Sequence, residues 1–306
     1  MCKDTNFTGI IAIFVLDNPP TMIGIFDSGT GGLSVLREIV RLLPDEKYVY
    51  FSDNAHCPYG EKAPEYIRER CRVITRTLLG KGADIIAVAC NTATAAAIRT
   101  LREEFPVKFI GMEPAVKPAV LGTRTGVIGV LATAGTLKGS KYLTTKGNYE
   151  DGCTIVEHVG QGFVELVERG VLTGPEAEAI VERSLRPLLD AGADTIVLGC
   201  THYPFLLETL QEIAGPGIRF IDPAPAVARQ LVRVMREEGL LDEAEASRAL
   251  AASPSETSGM EAGPARKEAG RPSGAPDIEL ISSGNPLPLR RMFRTLYPAA
   301  DTPSQR

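Results

Sequence analysis

The sequence predicts an α/β protein made of two similar, doubly wound halves with mainly parallel sheets. Three observations carry that expectation. From Met22 onward, short apolar runs alternate with longer amphipathic ones, the pattern of βα units. The stretch GADIIAVACNT from Gly82 returns as GADTIVLGCTH from Gly192, and IGIFDSGTGGL from Ile23 returns more faintly as IGVLATAGTL from Ile128. The two echoes keep their order and are displaced by similar lengths of chain, which marks a duplicated unit. Finally, 306 residues that are 44% hydrophobic and 23% charged suffice for two cores and are too apolar for general disorder.

The elements follow in order. MIGIF (22–26) precedes the helical LSVLREIVRLL (33–43), YVYFSD (48–53) precedes PEYIRERCRVITRTLLGKG (64–82), and DIIAVA (84–89) precedes TATAAAIRTLREEF (92–105). VKFIGM (107–112) closes this series. The second series runs through TGVIGVL (125–131), CTIVEHV (153–159), the helical EAEAIVERSLRPLLDAG (176–192), DTIVLG (194–199), the helical FLLETLQEIAG (205–215) and IRFIDPA (218–224). Near-continuous apolar strands imply burial on both faces, as in parallel sheets covered by helices. AVARQLVRVMREEGL (226–240), the strand DIELISSG (277–284) and the helix PLRRMFRTLY (288–297) are expected to return to the first half. The division is therefore 22–117 with 225–306, and 118–224. Residues 252–276, rich in Gly, Pro, Ser and Ala, cannot bury a core and read as a flexible insertion. Residues 1–21 read as an extension. Its apolar run at 9–16 is too short to span a bilayer and lacks a small-residue cleavage site behind it.

A net charge of −5 with no Lys/Arg block longer than a pair gives no footprint for nucleic acid or an anionic membrane, which favours a small-molecule partner. Six cysteines without a CxxC pair do not form a disulfide framework, so the thiols are expected free in a reducing, cytoplasmic setting.

Candidate chemistry clusters at strand ends. Asp27 and Ser28 end the first strand ahead of Gly29, Gly31 and Gly32, a turn whose backbone N–H groups could cradle an anion; without a Lys or a G-x-G-x-x-G spacing it suits neither ATP nor a dinucleotide. Cys90 ends its strand where a helix begins, the position at which ligands bind in open α/β sheets, and helical N–H groups there should favour a thiolate. Cys200 repeats that placement, with Thr201 and His202 behind it, and His202 suits a proton-handling neighbour. The loop SDNAHCPYGEK (52–62) can close over a ligand, with Cys57 read as part of an ordinary tight turn. Only Cys200 and His202 are closely paired among the possible zinc ligands Cys57, Cys90, Cys200 and His202, so no metal is expected. Two thiols presented by related halves fit a two-base reaction. In a racemisation one removes the Cα proton while the other delivers a proton to the opposite face, and Asn91 and Thr92 can hold substrate carboxylate and amine.

IFDSGTGGL, DNAHCPYG, ACNTATA, IGVLATAGTL and GCTHYPFL, in this order, resemble the glutamate racemases of the aspartate/glutamate racemase family from Met22 to about Tyr297. That resemblance implies two α/β domains with the active site between them, no cofactor, and interconversion of L- and D-glutamate for bacterial peptidoglycan. It implies Cys90 and Cys200 as the two bases, with Asp27, His202 and Glu168 as catalytic neighbours. Substrate contacts would fall to Asp27, Ser28, Pro58, Tyr59, Gly60, Asn91, Thr92, Thr133, Thr136, Thr201 and His202. A homodimer is also implied. The segment VGQGF (159–163) departs from the family's usual Cys-Pro ahead of FVELVE. The alternatives are a related racemase acting on aspartate, a hydantoin or another small acid, and a non-catalytic acidic amino-acid binding protein.

Overall fold

The computed structural model describes residues 20–149, 151–252 and 276–298. The apolar run at 9–16 and nearly all of the insertion at 252–276 lie outside them. In the first unit, β1 (Met22–Asp27), α1 (Leu33–Leu42), β2 (Lys47–Ser52), α2 (Pro64–Gly80), β3 (Ile85–Val88), α3 (Asn91–Glu104) and β4 (Lys108–Gly111) follow one another. The second unit contains α4 (Val116–Gly122), β5 (Val127–Ala132), α5 (Ala134–Leu137), α6 (Ser140–Gly147), β6 (Thr154–Val159), α7 (Phe163–Arg169), α8 (Pro175–Asp190), β7 (Thr195–Gly199), α9 (Leu207–Ala214) and β8 (Arg219–Ile221). α10 (Ala224–Glu237), α11 (Glu243–Ala251), β9 (Asp277–Ser282) and α12 (Leu287–Leu296) complete the described chain.

The strand orders explain the internal echoes. One sheet runs β4-β3-β1-β2-β9 and the other β6-β5-β7-β8, every pair parallel. Read from the opposite edge, the second sheet repeats the first four strands of the first, with β5 standing for β1 and β7 for β3. In both, the chain turns back between the first and third strands, and the crevice outside the strand ends at such a switch point is where α/β sheets bind ligands. The wholly buried β3 and β7, IIAV and TIVLG, sit beside these crevices. β9 adds to the first sheet by pairing with β2.

Helices cover both faces of each sheet. Phe26, Val88, Ile74 and Leu101 share one cluster on the α2 and α3 side, while Val130, Val197 and Tyr142 share another beneath α4 and α6. A third cluster runs through both units, joining Leu36 and Ile39 of α1 with Leu185 and Leu188 of α8 and Leu231 of α10. Five helices were not legible in the sequence. α4, α5, α6 and α7 are too short to show a helical period. α11 buries only Ala246 and Ala249, although its capping box of Asp242 and Glu245 was readable.

One buried ion pair fixes the loop after β2. Asp53 is fully buried and gripped by Arg70, whose Nε and Nη2 donate at 2.9 and 2.8 Å, and it also accepts from the Tyr59 hydroxyl. Burial alone would raise this carboxyl, but the Arg70 and Tyr59 hydrogen bonds outweigh it and hold the pKa below the usual value. The pair therefore stabilises the fold above about pH 4, and its contribution is lost as pH falls through the depressed pKa. Arg70→Ala leaves the carboxylate buried without its counter-charge and should cost about 3 kcal/mol in urea unfolding at pH 7. The deficit should shrink in acid as Asp53 protonates; an unchanged midpoint at pH 7 would count against the pair's importance.

Candidate active site

Both strand-end thiols open into one cavity with about 260 Å³ of empty space. Cys90 follows β3 and Cys200 follows β7, so each sheet contributes one sulfur. Ser28, Pro58, Tyr59, Gly60, Asn91, Thr92, Thr133, Thr201 and His202 complete most of the wall. Asp27, Glu168 and Thr136 do not line it: Asp27 and Glu168 lie behind the wall, and Thr136 faces a neighbouring cavity that shares Asn91.

Cys90 is the N-cap of α3, its sulfur accepting the Ala93 N–H at 3.4 Å. The thiol is 5% exposed and lies 3.8 Å from the Ser28 hydroxyl. Here the structure corrects the expectation of a stabilised thiolate. Burial, followed by the charge of Asp27, pushes the Cys90 pKa well above its ordinary value, and the helical N–H offsets this only in part. Asp27 is itself raised by burial, against the opposing pull of His202. Both groups are thus buried, and each is pushed toward its protonated form.

The second thiol has a different partner. His202 is 1% exposed, with Nδ1 3.8 Å from Cys200 Sγ and Nε2 2.8 Å from Glu168 Oε1. Burial alone would discharge the ring, but contacts with Cys200, Cys57 and Glu168 hold its pKa well above the usual value. Burial likewise opposes ionisation of Glu168, yet His202 and Thr30 keep its carboxyl below the usual range. We therefore assign an imidazolium paired with a carboxylate.

The glycine turn after β1 has a purpose that its spacing did not reveal. Its N–H groups do hold anions, but these are the protein's own carboxylates. Gly32 N–H donates to Asp27 Oδ2 at 2.7 Å, and Thr30 N–H donates to Glu168 Oε1 at 2.6 Å. A Cβ on Gly29 would sit 2.1 Å from Glu168 Oε1, and one on Gly31 would sit 2.3 Å from His202 Nδ1. These glycines let side chains from the other unit approach the backbone.

More polar contacts cross the seam. Thr92 Oγ1 lies 2.8 Å from Thr133 Oγ1, which caps α5, and the Thr201 hydroxyl donates to Asp27 at 3.4 Å. The Asn91 side-chain nitrogen is buried without a hydrogen-bond partner, and Asn91 lines the cavity: a donor without an acceptor of its own.

The sequence profile for Asp/Glu/hydantoin racemases matches residues 23–231. The chain belongs to this family. It is 50% identical to the glutamate racemase of Ectopseudomonas mendocina over 72% of this chain and 84% of that one. The fold is similar to the glutamate racemase isoform RacE1 of Bacillus anthracis, with a TM-score of 0.74, 26% identity and coverage of 93% of this chain and 96% of that one. It is also similar to the Escherichia coli glutamate racemase solved with L-glutamate and the activator UDP-MurNAc-ala, with a TM-score of 0.72, 32% identity and coverage of 91% and 96%. The cavity draws its lining from residues that follow strands of both sheets.

Sequence reasoning missed three residues of this racemase-family site. Val164, on α7, lines the cavity but carries no chemical signal. Thr30 was hidden among the glycines, although it holds Glu168 through both N–H and hydroxyl. Cys57, read as a turn residue, brings its sulfur to within 4.8 Å of ligand atoms on Glu168 and His202, a spacing a metal ion could bridge. Despite the altered segment before it, α7 delivers Glu168 to His202, starting after Gly162 in a left-handed conformation at φ 83°.

The depressed Glu168 contributes stability above about pH 4.3 that is lost as pH falls through its folded value. The raised His202 contributes below about pH 6.5 and loses it as pH rises through its own folded value. Glu168→Gln should therefore move the His202 titration down toward about 6.5, as read from ring-proton NMR. An unmoved midpoint would mean that the carboxylate does not hold the ring's charge.

Proposed function

We propose that this chain interconverts L- and D-glutamate by a cofactor-independent two-thiol mechanism, with Cys90 and Cys200 as the two bases. The observation that carries this reading is that two sulfurs from the ends of two related sheets line one small cavity. The unpartnered donor of Asn91 suits a substrate carboxylate. With no Lys or Arg in the cavity lining, the hydroxyls of Ser28, Thr92, Thr133 and Thr201 supply the remaining neutral donors, and Thr136 supports them by its contacts with Thr92 and Thr133. Pro58, Tyr59 and Gly60 form the wall anchored by Asp53.

In one direction a thiolate at one cysteine takes the Cα proton, leaving the bonding pair on a nearly planar carbanion. The thiol of the other cysteine then gives its proton to the opposite face, inverting the centre and becoming the new thiolate. Cys90 is too buried to ionise freely, and Asp27 beside it accepts the proton that its thiol sheds. On the other side, the imidazolium of His202, held by Glu168, stabilises negative charge on Cys200 and returns a proton to it. Exclusion of water strengthens both contacts.

The same proposal includes D-glutamate supply for peptidoglycan, a cytoplasmic site of action, and a homodimer. It retains the division into 22–117 with 225–306, and 118–224, except that the first boundary falls ahead of α4 (Val116–Gly122), which packs on the second sheet. No helix among the described residues is long and apolar enough to cross a membrane.

Cys90→Ser and Cys200→Ser should each lower the rate of L/D-glutamate interconversion by about 10²–10⁴-fold, measured by circular dichroism of each enantiomer. Full activity in either variant would sink the two-thiol scheme. In heavy water the wild type should place deuterium at Cα of glutamate, with no dependence on added pyridoxal phosphate. Parallel assays with aspartate and hydantoins separate the related racemases, and a pure binding protein would show no exchange.

A further inference from the structure

Cys57 has no part in the reaction above, yet the fold carries it to the centre of the proton machinery. Its sulfur comes from the loop after β2, the Glu168 oxygen from α7 and the His202 nitrogen from the turn after β7; all three ligand atoms lie within 4.8 Å of one another. Thiolate, imidazole and carboxylate form a zinc donor set, whereas magnesium and calcium favour all-oxygen sites.

Two features make this more than proximity. The outer partners that orient metal ligands are already in place: Thr30 donates twice to Glu168, and the second ring nitrogen of His202 is engaged by Cys200. Gly29 also clears the space, since a Cβ there would lie 2.1 Å from Glu168 Oε1 and 3.1 Å from Cys57 Sγ.

We propose that Cys57, Glu168 and His202 form an inhibitory zinc-binding site. Zn²⁺ replaces the thiol proton of Cys57 and the proton between His202 Nε2 and Glu168, releasing both to solvent and forming three coordinate bonds without a change in oxidation state. With Nε2 on the metal the ring is no longer an imidazolium, and its Nδ1–H, facing Cys200, becomes a far weaker acid because losing that proton would leave an imidazolate. Metal binding stands independently of the reaction, whereas inhibition rests on the racemase reading.

The test uses the purified full chain after chelator treatment. Co²⁺, a coloured stand-in for zinc, should give a thiolate-to-cobalt absorption band in the wild type and in the double variant Cys90→Ser/Cys200→Ser, and lose it in Cys57→Ser. Micromolar Zn²⁺ should inhibit racemisation reversibly by chelator, and Cys57→Ser should raise the inhibitory concentration about tenfold or more, each curve being scaled to that protein's own rate without metal. Cys57→Ala, checked by thermal melting, provides the same comparison if the serine variant folds poorly. Equal cobalt spectra and equal zinc sensitivity with and without Cys57 would overturn the proposal, because the metal would then be held by other groups. A Cys57-dependent band in a chain without racemase activity would keep the metal site and refute the reaction.

Discussion

The site depends on the carboxylate of Glu168, which is held between two parts of the chain far apart in sequence. It accepts from the backbone and hydroxyl of Thr30 in the first unit and from the ring of His202 in the second. This one group joins the turn after β1 to the turn after β7, and each of those turns leads to an element bearing the chemistry. The side chains can come that close because residues 29 and 31 are glycines. A Cβ at residue 29 would displace the Glu168 carboxylate, and one at residue 31 would displace the His202 ring.

That constraint gives the two related halves unequal electrostatics. Sheet order and the placement of the thiols are nearly repeated, but the groups behind the thiols are not. Behind Cys90 stands a buried carboxyl, Asp27, which disfavours a second negative charge. Behind Cys200 stands a ring kept charged, against the effect of burial, by contacts with Cys200 itself, Cys57 and Glu168. The proposed inversion of a chiral centre calls for bases on opposite faces, and the duplicated strand ends place one cysteine from each sheet at the same cavity.

Burial has costs that the surrounding hydrogen bonds offset. Asp53 is tolerated at the end of β2 because Arg70 and Tyr59 satisfy it, and the same contacts fix Tyr59 as a wall of the cavity. One donor left unsatisfied, on Asn91, lies in the cavity wall, where a ligand can reach it.

The sequence by itself determined the alternation of strands and helices, the parallel sheets and the duplicated strand-end cysteines. These features rest on local periodicity and on motifs a few residues long, such as ACNTATA and GCTHYPFL. Tertiary structure decided what each group meets. Only the packing of α7 against the turns after β1 and β7 could show that the glycines make way for Glu168 and His202, or that Cys57 joins them. It also reversed the expectation for Cys90: helical N–H groups are visible in the local sequence, whereas loss of solvent and a carboxylate 63 positions away in the chain are not. Charge and solvation depend on distance in space, which the order of residues along a chain does not fix.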